Sequence, residues 1–309
     1  MTADHALGMA DTGGVIVDDW FLLGAPWDCS GSGRGEQAAP EALRAAGLSA
    51  LVGRDRGDAA TVIDSTRRDQ RTGVLALPET VRAARALAGT LDEALGELPG
   101  RRPLVVGGDC SILLGILPAL RGRVGPVGLW FLDGHPDYLD GSASDTGETA
   151  DMDLAVLTGD GAEPLVTLAG SPPMVPVADA VLLGHRTRDL DGGAAAELAR
   201  LPGGLRRIAA GTLVADPAAA GRRAAAWLAG AGRGAWLHLD LDVLDPAVLP
   251  AVTYPQPGGP DWDQLAAALE PLARSPRLLG VSVADFRPDL DPTGDLATRV
   301  LEVLARTLP

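Results

Sequence analysis

The sequence predicts an α/β protein in which a mostly parallel sheet lies between helices on both faces. Three observations predict it. Short β-rich runs alternate with alanine- and leucine-rich amphipathic stretches over almost the whole chain. Prolines 40, 78 and 217 stand where a first helical turn tolerates them. Three of the β-rich runs end in conspicuous polar clusters, as the ligand-bearing strand ends of such sheets do.

In chain order, the predicted strands are Val15–Leu23, Ala60–Asp64, Pro103–Gly107, Pro126–Leu132, Asp179–Gly184, Arg206–Ala209, Ala235–Leu241 and Leu278–Ala284. Each is a short apolar or β-branched run bounded by turn-forming or polar residues. The predicted helices include Pro78–Leu98, Ala194–Leu201, Asp216–Ala229, Asp261–Ala273 and Gly294–Thr307, where apolar residues recur at helical spacing. The polar stretch Asp140–Ala150 (DGSASDTGETA) reads as a loop following a strand. No internal repeat, low-complexity tail or linker divides the 309 residues, so residues 1–309 are expected to form one domain, with about 1–14 a flexible N-terminus.

Composition narrows the function. The chain carries 26 Lys+Arg against 41 Asp+Glu, a formal charge of −15, which argues against a nucleic-acid or anionic-membrane partner. All of those cations are arginine, and the absence of lysine excludes a pyridoxal Schiff base, a Walker A lysine and a kinase lysine. With no asparagine there is no N-glycosylation acceptor. Two cysteines, Cys29 and Cys110, are too few for a disulfide framework. No signal-peptide core stands in the first twenty residues, and no apolar run approaches the roughly 18 residues of a membrane span. The expectation is a soluble cytoplasmic protein.

The chemistry concentrates in two clusters. Leu132–Asp137 (LDGHPD) spaces Asp133, His135 and Asp137 two residues apart, so an extended segment would present them on one face. His238–Pro246 (HLDLDVLDP) repeats the pattern with His238, Asp240 and Asp242, then Asp245. Carboxylates gathered at strand ends repel one another unless a cation sits among them. An oxygen-rich set with some imidazole suits a pair of Mn²⁺ or Mg²⁺ ions. Solvated surface acid is the competing explanation for either motif alone, and the recurrence of the motif after two apolar strands weakens it.

These motifs resemble the ureohydrolase family of arginases, agmatinases and formimidoylglutamases. The resemblance runs from Gly24-Ala-Pro-Trp-Asp28 and the segment Gly33 to Arg44, through Gly107-Gly-Asp-Cys-Ser111, Asp133-Gly-His-Pro-Asp137 and Gly184-His-Arg186, to Asp240-Leu-Asp-Val-Leu-Asp-Pro246 and Gly258-Gly259. It implies the three-layer αβα arginase-type fold with an eight-stranded sheet. It also implies two metal ions, with Asp133 and Asp240 bridging, Asp137 completing one shell together with a histidine whose place Cys110 takes here, and His135 and Asp242 completing the other. A hydroxide shared by the cations and held by Asp137 would attack the carbon of a guanidinium or amidine, releasing urea or a related amide and an amine. The implied partners are a small cationic guanidino substrate and further copies of the chain, as a trimer or hexamer.

Four positions depart from the family pattern. Cys110 replaces a ligand histidine; it either ligates, which would favour Zn²⁺, Fe²⁺ or Co²⁺ over Mn²⁺, or is a plain buried thiol. His238 stands where a small hydroxyl residue is usual, and is either a replacement ligand or proton carrier, or a hydrogen-bonded histidine beneath the site. The family's shuttle histidine would fall near Ala150, leaving Glu148 or Asp151 to carry protons, or to do no more than solvate the loop. Asp285 matches a guanidinium-recognising glutamate, one methylene shorter, with Arg287 beside it as an ion-pair partner or carboxylate site. Asp189 falls where arginases hold the substrate amino group, with surface acid as the alternative. Cys29 approaches the pocket as an inert thiol, and His5 carries no assignment. The expected substrate is agmatine-like or a modified arginine. Two other functions stay open: a catalytically silent, metal- or ligand-binding member, and a single-metal amidohydrolase.

Overall fold

The computed structural model of the protein describes residues 17–230 and 234–308, with side chains from residue 19 onward. The start expected for the first strand at Val15, the expected flexible N-terminus and His5 lie outside the described residues.

Eight strands form one sheet: β1 (Val17–Ala25), β2 (Val52–Asp58), β3 (Arg102–Gly107), β4 (Gly128–Leu132), β5 (Ala180–Leu183), β6 (Arg206–Ile208), β7 (Ala235–Asp240) and β8 (Leu278–Ala284). Their order across the sheet is β2-β1-β3-β8-β7-β4-β5-β6, and every paired neighbour is parallel. Alternate side chains feed two separate cores. Phe21, Leu23, Val105, Leu129, Phe131 and Leu182 pack against the helices Leu77–Glu97 and Leu113–Val124. Trp20, Leu22, Leu104, Trp130, Leu132 and Leu183 pack against the helices Ala39–Ala45, Pro217–Trp227, Trp262–Ala273 and Asp295–Thr307. Burial on both faces is why the central strands read as continuous apolar runs. The three-layer fold expected from the sequence is the one present.

The clearest differences from expectation are one strand and one long helix. The second strand is Val52–Asp58 (VGRDRGD), and Ala60–Asp64 forms no strand. β2 is an edge strand with a row of exposed charged residues, a pattern that protects an edge but hides it from a hydrophobicity reading. The five residues after it alternate between exposed and buried, but β2 already occupies that side of β1, so they lie outside the sheet. The helix Leu113–Val124 was not expected, because it is apolar nearly all round and contains Gly115 and Pro118.

The topology positions the site. β3, β8, β7 and β4 are adjacent at the centre of the sheet, and the carboxyl end of each carries one polar cluster. Gly108 makes the first turn possible: a Cβ there would stand 1.4 Å from the Trp27 carbonyl oxygen.

Candidate metal centre and active site

Four strand ends deliver the donors. After β3, Gly108-Asp109 turns into a 3-10 turn that presents Cys110. Asp133 follows β4 directly, and Asp240 ends β7. Asp137 stands at φ +47 and Asp285, after β8, at φ +61; aspartate tolerates this left-handed region better than most residues, and both turn inward. Asp242 lies in a 3-10 turn beyond β7, not on the strand face that simple alternation would give it.

Within this cluster the donor atoms form overlapping groups, each within 4.8 Å: Cys110, Asp133 and Asp240; Asp133, His135 and Asp242; Asp240, Asp242 and Asp285; and Cys110, Asp137 and Asp153. Local hydrogen bonds fix several of them. Asp133 Oδ1 accepts the His135 N–H at 2.6 Å, Asp240 Oδ1 accepts the Asp242 N–H at 2.9 Å, and Asp242 Oδ1 accepts the Gly134 N–H at 2.9 Å. The other Asp242 oxygen meets His135 Nδ1 at 2.7 Å. Cys110 Sγ donates to the Ala150 carbonyl at 3.1 Å and lies 3.6 Å from Asp137 Oδ2.

The electrostatics are those of acids crowded out of water. Burial, then the charge of Asp242, pushes Asp133 up to about 6. Burial, then neighbouring aspartates, raises Asp137, Asp240 and Asp285 well above the carboxylate range. Burial also opposes ionisation of Asp242, but His135 and the Gly134 N–H outweigh it and hold it low. Asp133 Oδ2 is buried without a hydrogen-bond partner. Such a set is stable as anions only around positive charge, so these residues fit a pair of divalent ions. The donors are mostly carboxylate oxygen with one imidazole and one thiol, which suits Mn²⁺ and gives softer ions a foothold at Cys110.

The cluster floors a cavity of about 430 Å³. Its walls hold groups that sequence reasoning missed. Arg34 is gripped by two acids: its NH1 and NH2 donate to Glu148 at 3.1 and 2.9 Å, and its Nε donates to Glu36 at 3.1 Å. Its guanidinium also stacks 5.4 Å from the Tyr254 ring centroid. Glu197 of the helix Gly192–Arg200 reaches in, accepts the Tyr138 N–H at 2.8 Å and is pushed by burial to about 7. Glu36, in the Gly33–Arg44 segment, and Glu197, on a helix read only as amphipathic, carried no spacing signal of their own.

Several expected roles need correction. Glu148 lines the cavity but its carboxylate is occupied by Arg34, which leaves it poorly placed as a proton carrier. Asp151 keeps Oδ1 free of partners, lines the same cavity and is pushed by burial to about 6. His238 lies in none of the donor groups and does not line the cavity. It points to the same face as Asp240, but one pleat repeat, about 6–7 Å, deeper. There it stacks on Phe131 with ring centroids 5.2 Å apart and its Nδ1 lies 2.7 Å from Ser282 Oγ. Its Nδ1 is thus hydrogen-bonded as the structural alternative expected, while its Nε2 is buried without a partner. Asp189, at φ +56, lines a second cavity with Arg186, Arg188 and Asp191 instead of the first. Arg287 pairs with Asp289 at 2.7 Å, not with Asp285.

Arg186 explains how Asp242 is held. Its guanidinium donates to the carbonyls of Gly184, Asp242, Val243, Leu244 and Gln256 at 2.7–3.2 Å, tying the end of β5 to the turn after β7. The rigid fork of arginine suits this task in a way lysine does not.

Comparisons with known proteins agree with this frame. The family model described as the arginase family matches residues 18–308. An arginase of Brevibacillus brevis is 31% identical over 279 residues, covering 87% of this chain and 91% of the relative. The native arginase structure from Bacillus caldovelox superposes with a TM-score of 0.82 at 26% identity, covering 94% and 98% of the two chains. A formimidoylglutamase structure from Bacillus subtilis shares the fold, with a TM-score of 0.73 at 18% identity over 99% and 94%. The fold and the match define an arginase-family hydrolase class. This chain belongs to the arginase family.

Proposed function

We propose that the protein is a binuclear metal-dependent hydrolase of a guanidino compound that carries no carboxylate, of the agmatine type. The observation that carries this is the charge of the cavity. Ten carboxyl groups line it, against one arginine whose three nitrogens are already engaged by Glu36, Glu148 and Tyr254. Two divalent ions offset only four of those charges, so the walls attract a cationic tail and repel an anionic one.

Asp133, Asp137, Asp240, Asp242, His135 and Cys110 would hold the ions, which when bound supply Lewis acidity and a nucleophilic water at neutral pH. Asp285 receives the guanidinium, with its carboxylate 3.2 Å from the Thr253 N–H and its backbone set by the Gly108 carbonyl. Asp151 passes protons between the leaving amine and solvent. The relative from Brevibacillus brevis is named an arginase, and arginine is the competing substrate.

The manganese-loaded protein is expected to release urea from agmatine with kcat/KM at least about tenfold above that for L-arginine, a preference of about 1.4 kcal/mol. Equal or better turnover of L-arginine would overturn the substrate class. A loaded protein that released no urea from any of a broad guanidine panel would favour a catalytically silent member of the family. We further propose that the chain works in the cytoplasm as a homo-oligomer, as the family resemblance implies. Among the described residues no helix is long and apolar enough to cross a membrane.

A further inference from the structure

Asp153 has no role in the reading above, and its environment demands one. It opens the helix Asp153–Leu157 and its side chain is fully buried. Neither carboxylate oxygen has a hydrogen-bond partner, and among the described residues no other buried carboxylate has both oxygens orphaned in this way. Nearby acids are served: Asp109 accepts from Cys29 N–H and Ser111, and Asp151 accepts from Ser144 and Thr146. An unpaired carboxylate without water is among the costliest groups a core can hold.

Its position answers the demand. A donor oxygen of Asp153 lies within 4.8 Å of donors on Cys110 and Asp137. The main chain holds the three together. The Ala155 N–H donates to the Asp137 carbonyl at 3.2 Å, and Cys110 Sγ reaches the Ala150 carbonyl at 3.1 Å. Leu154, Val156 and Leu157 are buried in the core and fix the helix that carries Asp153.

We infer that Asp153 is a metal ligand, sharing with Cys110 and Asp137 the ion on that side of the centre. The inference rests on the metal-centre reading and adds a donor that the resemblance does not supply. A carboxylate beside a thiolate makes a mixed sulfur–oxygen donor set, which favours Co²⁺, Fe²⁺ or Zn²⁺ over Mg²⁺ at this position.

The test compares full-length wild type with Asp153→Asn and Cys110→Ser, each stripped with chelator and titrated with Co²⁺ alone by calorimetry and by absorbance. Loss of an outer-shell partner costs metal affinity about 10–100-fold, so loss of a ligand should weaken one of the two sites at least about tenfold in Asp153→Asn. The other site should keep its affinity. Wild type should show a near-ultraviolet thiolate-to-cobalt band, altered in Asp153→Asn and absent in Cys110→Ser. Thermal unfolding of chelated Asp153→Asn should be no lower than wild type, because the variant removes a buried unpaired acid. Wild-type affinity at both sites in Asp153→Asn overturns the inference, as does a cobalt-loaded wild type without the band. A wild type that binds no ion overturns the metal-centre reading instead.

Discussion

Arg186 and His238 show how far a side chain's partners outweigh its position in a motif. Arg186 spends its guanidinium on five backbone carbonyls, two of them within a residue of Asp242. Replacing Arg186 by Met leaves those buried acceptors unsatisfied at about 1–3 kcal/mol each where water cannot reach them. Chemical denaturation should therefore show a loss of at least about 3 kcal/mol, and metal analysis should show fewer ions per chain. His238 behaves in the opposite way. His238→Ser should leave metal content and turnover unchanged, because the ring packs on Phe131, bonds Ser282 and belongs to none of the donor groups. It should still destabilise the fold by about 2 kcal/mol or more through the cavity it leaves. A fall in metal occupancy without loss of stability would restore the ligand role that its spacing from Asp240 suggests.

At the scale of elements, the turns after the strands decide whether donors converge. Gly108→Ala places a methyl group into the Trp27 carbonyl and forces apart the loop after β1 and the turn that bears Cys110. Overpacking of this kind costs about 1–3 kcal/mol, and calorimetry of the variant should show that loss together with weakened metal binding. By contrast, Asp261 caps the helix Trp262–Ala273 through a capping box with Gln264 and belongs to none of the donor groups. Asp261→Ala should lower stability by about 1 kcal/mol and leave metal binding untouched, as parallel denaturation and metal titration would report. The same scale explains what the sequence could and could not reveal. The central strands and the long amphipathic helices were legible because burial on both faces and 3.6-residue periodicity leave marks in the sequence. β2 was misplaced because an edge strand is written in charge, and Leu113–Val124 was missed because a helix buried all round has no polar face. Asp133, His135, Asp137, Asp240 and Asp242 fall in overlapping donor groups, although Asp242 reaches them from a turn and not from the strand face its spacing suggested. Glu36, Glu197 and Asp153 arrive from loops and helices far off in sequence, where no local spacing points inward.

For the whole molecule, the concentration of buried acid sets the pH dependence of the metal-free protein. Burial pushes Asp109, Asp133 and Asp151 to about 6 and Glu197 to about 7, above their unfolded values. Between their unfolded and folded pKa values the native state binds more of these protons than the unfolded chain does, so stability falls as pH rises. His185, held by burial at about 4, and His238, at about 3, work the other way, losing stability as pH falls below about 6.5. The acids outnumber the histidines, so the chelated protein should melt at progressively lower temperature from pH 4.5 to pH 7. Metal loading should reverse that trend, because the cations favour the ionised carboxylates. A chelated protein that grew more stable over this range would contradict the electrostatic account. The most direct test of the central claim is the number of ions bound per chain, by elemental analysis of protein loaded with Mn²⁺ and dialysed. Two ions per chain are predicted, and none, or only one, would contradict a binuclear centre.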